Sequence, residues 1–520
     1  MRVTNMMMRN NSMLNMQKNK NVYYDYLNQY NTQKKIQRPS DDPTIAIRAL
    51  KYRTTLSEID QYLANINDAT SWMDATETCL KDINNRLTNM IDYCTQAANG
   101  PYNQEGRADI VTQLRQFSHY IYEQNANADY AGRYLFTGFR TDVPMLFTEA
   151  QKDTTYTITE NIDVNSISRY QYVYGEAAYD PASEADDYAK QASEFAVTHR
   201  VLLSYDNLDL EQTSYPVTDE DGNPVIDPGT GDPSVYQGVQ VTYTDSAGIK
   251  QTVTAKVMSV PEDTKYNQHL HPGDDEVYLV PETGELVFGD KVYDSVRAGK
   301  DLSVVYSKTE FEKNDVRPEH YFNCTSVNNA TGETSKYTTA GKQQMLYQIN
   351  FSQTLTVNTE GCNAINLNVG RTISDITNII NDLDVMEANL KSVEKRISDC
   401  NDNEEKKIAD LTELKEQIKT EITLQKTVLE KSLGAAITVC QNAKDELNVA
   451  KADHGSRYNR MDMTEEKLKQ QKIDTKEAKS ENEDADLGEA YIGFSEADLL
   501  YQATLNATTK ILGESLLNFI

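Results

Sequence analysis

The sequence predicts an α+β protein: a long antiparallel helical rod, a coiled-coil bundle drawn from both chain ends, with an inserted mainly β domain. Three observations carry that prediction. Apolar residues recur at steps of three and four near both ends of the chain. Period-two alternation replaces this spacing between about residues 150 and 360. Residues 480–520 contain no proline and carry Phe494, Ala497, Tyr501, Leu505, Leu512 and Leu516 on one helical stripe. Such a stripe is an adhesive surface, and its nearest partner is the other end of the same chain.

Residues 1–37 read as a weakly amphipathic helix with Met13, Met16, Tyr23, Leu27 and Tyr30 on one stripe. The segment Arg38-Pro39-Ser40-Asp41-Asp42-Pro43 interrupts it, because two prolines four residues apart do not fit inside a helix. Asp42 before Pro43 is start chemistry: a capping carboxylate, then proline at the first helical position. From there Ile45, Ala49, Tyr52, Leu56, Ile59, Leu63 and Ile66 begin a stripe that runs to Cys94, broken only at Thr70, Glu77 and Asn84. Those breaks lie seven apart, as a 3.6-residue helix drifting off a heptad produces. The helix spans roughly 80 Å at about 1.5 Å per residue, which implies a rod.

Asn99-Gly100-Pro101 stops it. A second helix is expected over 105–127, with Ile110, Leu114, Phe117 and Ile121 inward. Residues 134–139 read as a short strand and turn. In the insert, Val239, Val241 and Tyr243 alternate, as do Val253, Ala255 and Val257, and Tyr347, Ile349 and Phe351. Helix is expected again from about Ser374. Residues 385–432 are an additional Lys/Glu/Leu-rich coiled-coil segment, with Leu411, Leu414, Ile418, Ile422 and Leu429 in step. Residues 437–479 are the expected partner of 43–98.

The resulting division is terminal coiled-coil helices over 1–42 and 485–520, a helical rod over 43–149 and 361–484, and an outer insert over 150–360. With 80 acidic and 51 basic residues the net charge is −29, so nothing basic is clustered to neutralise nucleic-acid phosphates. No window approaches a membrane span. The Met- and Asn-rich start lacks the apolar core of a Sec signal peptide. The six cysteines lack metal-ligand spacing and read as free thiols.

Arg38-Pro39-Ser40-Asp41-Asp42-Pro43, Arg133-Tyr134-Leu135-Phe136-Thr137-Gly138 and Ser480-Glu481-Asn482-Glu483-Asp484-Ala485-Asp486 together resemble the flagellin family. The first two are more typical of its hook–filament junction members than of filament subunits. The resemblance covers about 1–147 and 435–520. It implies an axial flagellar protein exported unfolded through the type III apparatus with an export chaperone. Its terminal helices would line a channel, and its neighbours would be copies of itself, the preceding hook-associated protein and flagellin. The implied location is extracellular, at the hook–filament junction. Filament flagellin is the near alternative, and a secreted enzyme carried on the insert is the distant one. Residues 385–432 depart from the family pattern. So does Leu87-Thr88-Asn89-Met90-Ile91-Asp92, which lacks the arginine-bearing pattern some flagellins present to immune receptors.

No catalytic constellation stands out, and no cofactor is implied. His269-Leu270-His271 reads as a solvated loop rather than a metal pair. Asp219-Glu220-Asp221-Gly222-Asn223 lacks the closing glutamate of a calcium loop, since Thr230 stands there. Glu483, Asp484 and Asp486 are expected at a helix start, where carboxylates complement the dipole. The residues expected to pack subunits together are Met13, Met16, Tyr23, Leu27, Tyr30, Phe494, Tyr501, Leu505, Leu512 and Leu516. In the monomer the terminal helices are expected to be largely disordered and to fold on docking.

Overall fold

The structure, a computed structural model, describes residues 5–99, 104–174, 193–210, 215–216, 235–236, 239–260, 268–400 and 405–517. Helices come from both ends of the chain, and a mixed sheet lies between them in sequence. The residues divide into two compact units. One comprises 1–70, 346–355 and 457–520; the other comprises 71–345 and 356–456.

In the first unit, α1 (Asn5–Thr32) packs on α8 (Leu487–Leu517). Both are formed within the single chain, so the expectation that they are disordered in the monomer is not met. α1 stops at Thr32 rather than near residue 37, because Gln33 takes a left-handed conformation (φ 58°). α2 (Pro43–Asn99) and α7 (Glu405–Glu483) contribute residues to both units. Their pairing is antiparallel. In the first unit Asn482 Nδ2 donates to Ile45 O (3.0 Å), Lys472 Nζ lies 2.6 Å from Asp60, and Thr70 Oγ1 meets Met461 Sδ at 3.9 Å. In the second unit Lys444 Nζ donates to Thr88 Oγ1 at 2.9 Å. Ile66, Met73, Leu80, Ile83 and Met90 are buried along α2, as the spacing predicts.

The second unit continues through α3 (Gln104–His119), followed by a π-helical turn at Tyr120–Ala126 where the sequence suggested one uninterrupted helix. Only a two-residue ladder forms next, β1 (Asp129–Tyr130) with β2 (Arg133–Tyr134). Then come β3 (Thr154–Ile162), β4 (Ser168–Tyr174), β5 (Glu194–Leu202), the short pair β6 (Tyr215–Pro216) and β7 (Val235–Tyr236), β8 (Val239–Thr244) and β9 (Lys250–Val257). After them lie β10 (Val277–Val280), β11 (Glu285–Phe288), α4 (Asp290–Arg297), β12 (Lys300–Lys308), α5 (Pro318–Tyr321), β13 (Asn323–Asn328) and β14 (Thr334–Tyr337).

Ten strands form one sheet in the order β14-β13-β3-β12-β8-β9-β10-β11-β5-β4. Every pair is antiparallel except β9 with β10. The period-two pattern is realised: Val239, Val241 and Tyr243 bury one face of β8, and Leu302, Val304 and Tyr306 that of β12. Glu160 shares this interior, where Tyr306 Oη (2.6 Å) and Ser204 Oγ (2.8 Å) donate to its carboxylate. Gly284, at φ +63°, turns β10 into β11; a Cβ there would lie 2.0 Å from Tyr205 O.

The remaining hairpin, β15 (Leu346–Asn350) and β16 (Gln353–Thr356), differs from expectation at Phe351. That residue sits in the turn and is 80% exposed, so the alternation ends at Ile349. In the first unit this hairpin accepts Asn65 Nδ2 on Gln348 O at 2.9 Å.

α6 (Asn368–Asp399) begins earlier than Ser374. Buried Arg107 of α3 reaches Glu387 (2.8 Å) and Asp384 (3.2 Å) on it. The segment expected at 385–432 is shared between α6 and α7, and α7 continues unbroken past residue 437. Gly434 does not stop it, since nothing crowds that position and a single helical glycine costs about 1 kcal/mol.

Candidate assembly surface

Two of the three family-like motifs, those at 38–43 and 480–486, lie about 450 residues apart in sequence, and the first unit brings their neighbourhoods together, whereas Arg133–Gly138 lies in the second unit. Asp42 Oδ1 accepts from the backbone N–H of Thr44 (2.8 Å) and Ile45 (3.3 Å), capping α2 as expected with Pro43 at its first position. Asp41 Oδ2 accepts from Arg38 N (2.8 Å) and Gln37 N (3.1 Å), which folds Arg38-Pro39-Ser40 into a tight turn. These backbone donors, Arg38 first, hold the Asp41 carboxyl below the usual carboxylate range.

At the other end the expectation needs correcting. Glu483 and Asp484 are not at a helix start: α7 runs to Glu483, and the chain breaks at 484–486. Only Asp486 caps, accepting from Gly488 N (2.7 Å) and Glu489 N (3.3 Å). Glu483 instead faces Arg53 Nη2 (2.8 Å) and Lys34 Nζ (3.4 Å). Asp484 takes Lys34 Nζ on one oxygen and Ser480 Oγ (2.6 Å) on the other.

Burial alone would raise the Glu483 carboxyl, but Arg53 and Lys34 hold it below its ordinary value. Asp484 is held low chiefly by its hydrogen bond from Lys34, and Lys34 is raised in return. The backbones join as well: Lys35 N donates to Glu483 O (2.8 Å) and Ala485 N to Gln33 O (3.0 Å). The break after α1 is thus bonded to the break before α8.

Beyond this joint the two terminal helices share an aromatic seam. Tyr23 lies 5.4 Å from Phe494 and 5.7 Å from Tyr501, and Tyr30 lies 6.3 Å from Phe494, all between ring centroids. Asn19 Nδ2 donates to Thr504 Oγ1 at 3.3 Å. Gly493 admits the ring of Tyr26; a Cβ there would come within 2.5 Å of it.

The residues expected to pack subunits therefore separate. Tyr23, Phe494 and Tyr501 meet within the chain, and Met16 and Leu27 are partly covered. Met13 is 55% exposed, and Leu505 and Tyr30 also remain open. Leu512 and Leu516 fall on the backbone span of α8, but their side chains lie outside the described residues.

The single-stripe reading missed a second apolar face. Ala490 and Ala497 point inward, while Ile492 (60% exposed), Leu499 (71%) and Leu500 lie outward on the same helix. On α1 the outward set is Met6, Met7, Leu14 and Val22. The signal was in the sequence: Ile492 and Leu499 are seven apart and about half a turn from the Phe494–Tyr501 stripe. Lys34 and Arg53 were also missed. Asp486-Leu487-Gly488-Glu489 has the Asp-x-x-Glu spacing that marks the start of α8.

Other candidates resolve simply. His269 is buried in the 3-10 turn Gln268–Leu270 rather than solvated, and His271 sits 3.2 Å from Tyr172 Oη. Residues 219–223 lie outside the described residues. All six cysteines are free, and burial raises the Cys94 thiol to about 11 and Cys440 to about 12. Among the described residues no His/Cys/Asp/Glu group has the makings of a metal site, and no helix is long and apolar enough to cross a membrane.

Residues 3–141 match the bacterial flagellin N-terminal helical region, and residues 437–520 match the C-terminal helical region. Flagellar hook-associated protein 3 of Escherichia coli (strain K12) is 25% identical over 142 residues, 27% of this chain and 45% of that protein. The protein of the same name from Salmonella typhimurium gives the same identity and coverage. The chain thus spans under half the length of these curated relatives. Among solved structures, FlgL of Xanthomonas campestris aligns over 82% of this chain and 99% of its own at 13% identity and a TM-score of 0.30. A TM-score that low has no bearing on how the parts are arranged.

Proposed function

We propose that this chain, whose two ends match the flagellin N- and C-terminal helical regions, is a structural axial component of the bacterial flagellum that joins hook to filament. The observation that carries this reading is the outward apolar face of the terminal helix pair. Fully burying one Leu or Ile side chain is worth about 1.5–3 kcal/mol. Ile492, Leu499 and Leu500 forgo most of that in the single chain. Packing against neighbouring copies recovers it, and contacts that repeat from copy to copy build rings or helical tubes.

In this reading 1–42 with 485–520 forms the inner layer, 43–149 with 361–484 the helical layer around it, and 150–360 the outward part. Met13, Leu505, Ile492 and Leu499 contact neighbours, while Tyr23, Phe494 and Tyr501 set the geometry of the pair that presents them. The partners are further copies of the chain, the preceding hook-associated protein and flagellin, after delivery by an export chaperone to the type III export apparatus. The protein acts outside the cell and carries no catalytic step.

Truncation before residue 485 tests this. The expected product is a folded central domain that does not enter flagella and does not support motility. Antibody label on intact flagella should be confined to the distal end of the hook. Label along the whole filament would assign the chain to the filament instead, and entry of the truncated protein would overturn the assembly mechanism.

A further inference from the structure

The central unit contains a cavity of about 410 Å³, walled by β4, β5, the 3-10 turn Gln268–Leu270 and helices α6 and α7. Six carboxylates line it (Asp206, Glu282, Glu285, Asp375, Asp382 and Glu421) against two guanidiniums, Arg200 and Arg371.

Both guanidiniums are committed to the protein. Arg200 pairs with Glu285, lies 2.7 Å from Asp375 and stacks 3.3 Å from the ring centre of Tyr170. Arg371 donates to Asp206, to Leu203 O at 3.0 Å and to Thr283 O. The surplus of negative charge therefore stays in the cavity wall. Burial, with Asp375 nearby, raises the Asp382 carboxyl, which marks a site that favours a positive neighbour.

Three wall atoms are buried without a hydrogen-bond partner: His269 Nδ1, Glu282 Oε2 and Thr283 Oγ1. His269 is only 9% exposed. Glu282 receives the Ser259 hydroxyl on its other oxygen, so Oε2 alone is left over. A carboxylate only accepts hydrogen bonds, a threonine hydroxyl can accept, and neutral imidazole accepts at Nδ1 when its proton is on Nε2. Burial first, and then Arg200, hold His269 below its ordinary value, which favours that neutral form.

Leaving such atoms unmatched is costly, so a ligand that donates to them recovers that cost. Three acceptors in a negatively charged wall complement a protonated primary amine, which has three donors and no acceptor. A phosphate or carboxylate ligand is repelled by the same wall. A sugar supplies donors but leaves the charge uncompensated. Among the described residues no ligand group suited to a metal ion is present.

We propose that this cavity binds a small organic diamine or polyamine in its ammonium form, with one head on Glu282, Thr283 and His269 and a second facing Asp382. The site is independent of the assembly reading, since none of its residues belongs to the terminal helices.

Calorimetric titration of the full chain with putrescine and spermidine in about 0.15 M salt tests this, with glucose and inorganic phosphate as comparisons. The expected result is saturable binding of one amine per chain and none of the comparison compounds. Glu282→Gln and Asp382→Asn should each weaken it about tenfold or more, as loss of a charge-assisted hydrogen bond does. Glu310→Gln, at an exposed pair with Lys152, should leave it unchanged. Circular dichroism confirms folding, and Asp382→Asn decides if Glu282→Gln does not fold. Absence of saturable amine binding overturns the proposal. So does glucose or phosphate binding in place of the amine, or variants that bind as tightly as the parent.

Discussion

In the central domain Tyr306, Phe311 and Phe288 are enclosed by the chain's own residues; along α8, Ile492, Leu499 and Leu500 are left more than half exposed by the described residues. The charges differ in the same sense. Arg200 sits between Glu285 and Asp375 at about 5% side-chain exposure, whereas Lys34, Arg53 and Asp484 at the terminal joint are each two-fifths or more exposed. One region completes its interactions internally. The other fixes the geometry of a surface and leaves that surface open. On the proposed reading, the terminal helices are positioned by the joint first and covered by neighbours later.

The largest effect on stability is expected in the centre. Arg200→Met strands the buried Glu285 and the partly buried Asp375, and breaking a buried pair by removing one partner costs about 3–5 kcal/mol. Thermal unfolding followed by circular dichroism should show a large fall in midpoint, with the α1–α8 contacts unaffected. A negligible fall would erase the contrast between the two regions.

Glu483→Gln is the matching change at the joint. It removes a charge from a nearly buried side chain whose partners are half in water, so the cost is about 1 kcal/mol. Hydrogen exchange should accelerate around 33–36 and 483–486 and leave the sheet unchanged.

The joint is also pH-dependent. Glu483 and Asp484 have lowered folded pKa values, so their contribution is present above the unfolded values, about 4, and is lost as pH falls through the folded ones. Lys34 is raised, so its contribution is complete below its unfolded value, about 10.4, and is lost as pH rises through the folded one. Exchange at the joint should therefore be slowest between these limits and speed up on both sides.

Gly493→Ala is expected to have the smallest effect. Alanine favours the helix by about 1 kcal/mol, but its Cβ needs the Tyr26 ring to move. The two terms oppose each other, and the aromatic seam loosens while overall helicity holds. Near-ultraviolet circular dichroism should report the loss of ring order.

Much of this was legible in the sequence because it is periodic. The heptad-like stripe of α2, the alternation of β8 and β12, and the Asp42-Pro43 start are local patterns with local causes. Tyr23, Phe494 and Tyr501 were legible for the same reason. The second face of α8 was not, because a helix apolar on both sides has little contrast for a one-stripe reading. The division at 484/485 falls within the observed break at 484–486, but Glu483 and Asp484 were expected to start the next helix; only the Asp486–Glu489 spacing marks the cap. The Arg200–Glu285–Asp375 cluster joins residues 85 and 175 positions apart, which no local pattern encodes. The lysine that closes the terminal joint, Lys34, has its partners about 450 positions away.

The most direct measurement concerns the outward face of α8. An Ile492→Asp, Leu499→Asp double variant places charges where the side chains are already in water, so the monomer should unfold at the parent's temperature. The same variant should be absent from flagella and should fail to restore motility. Normal incorporation with full motility would contradict the account, because the uncovered face would then have no neighbour to meet.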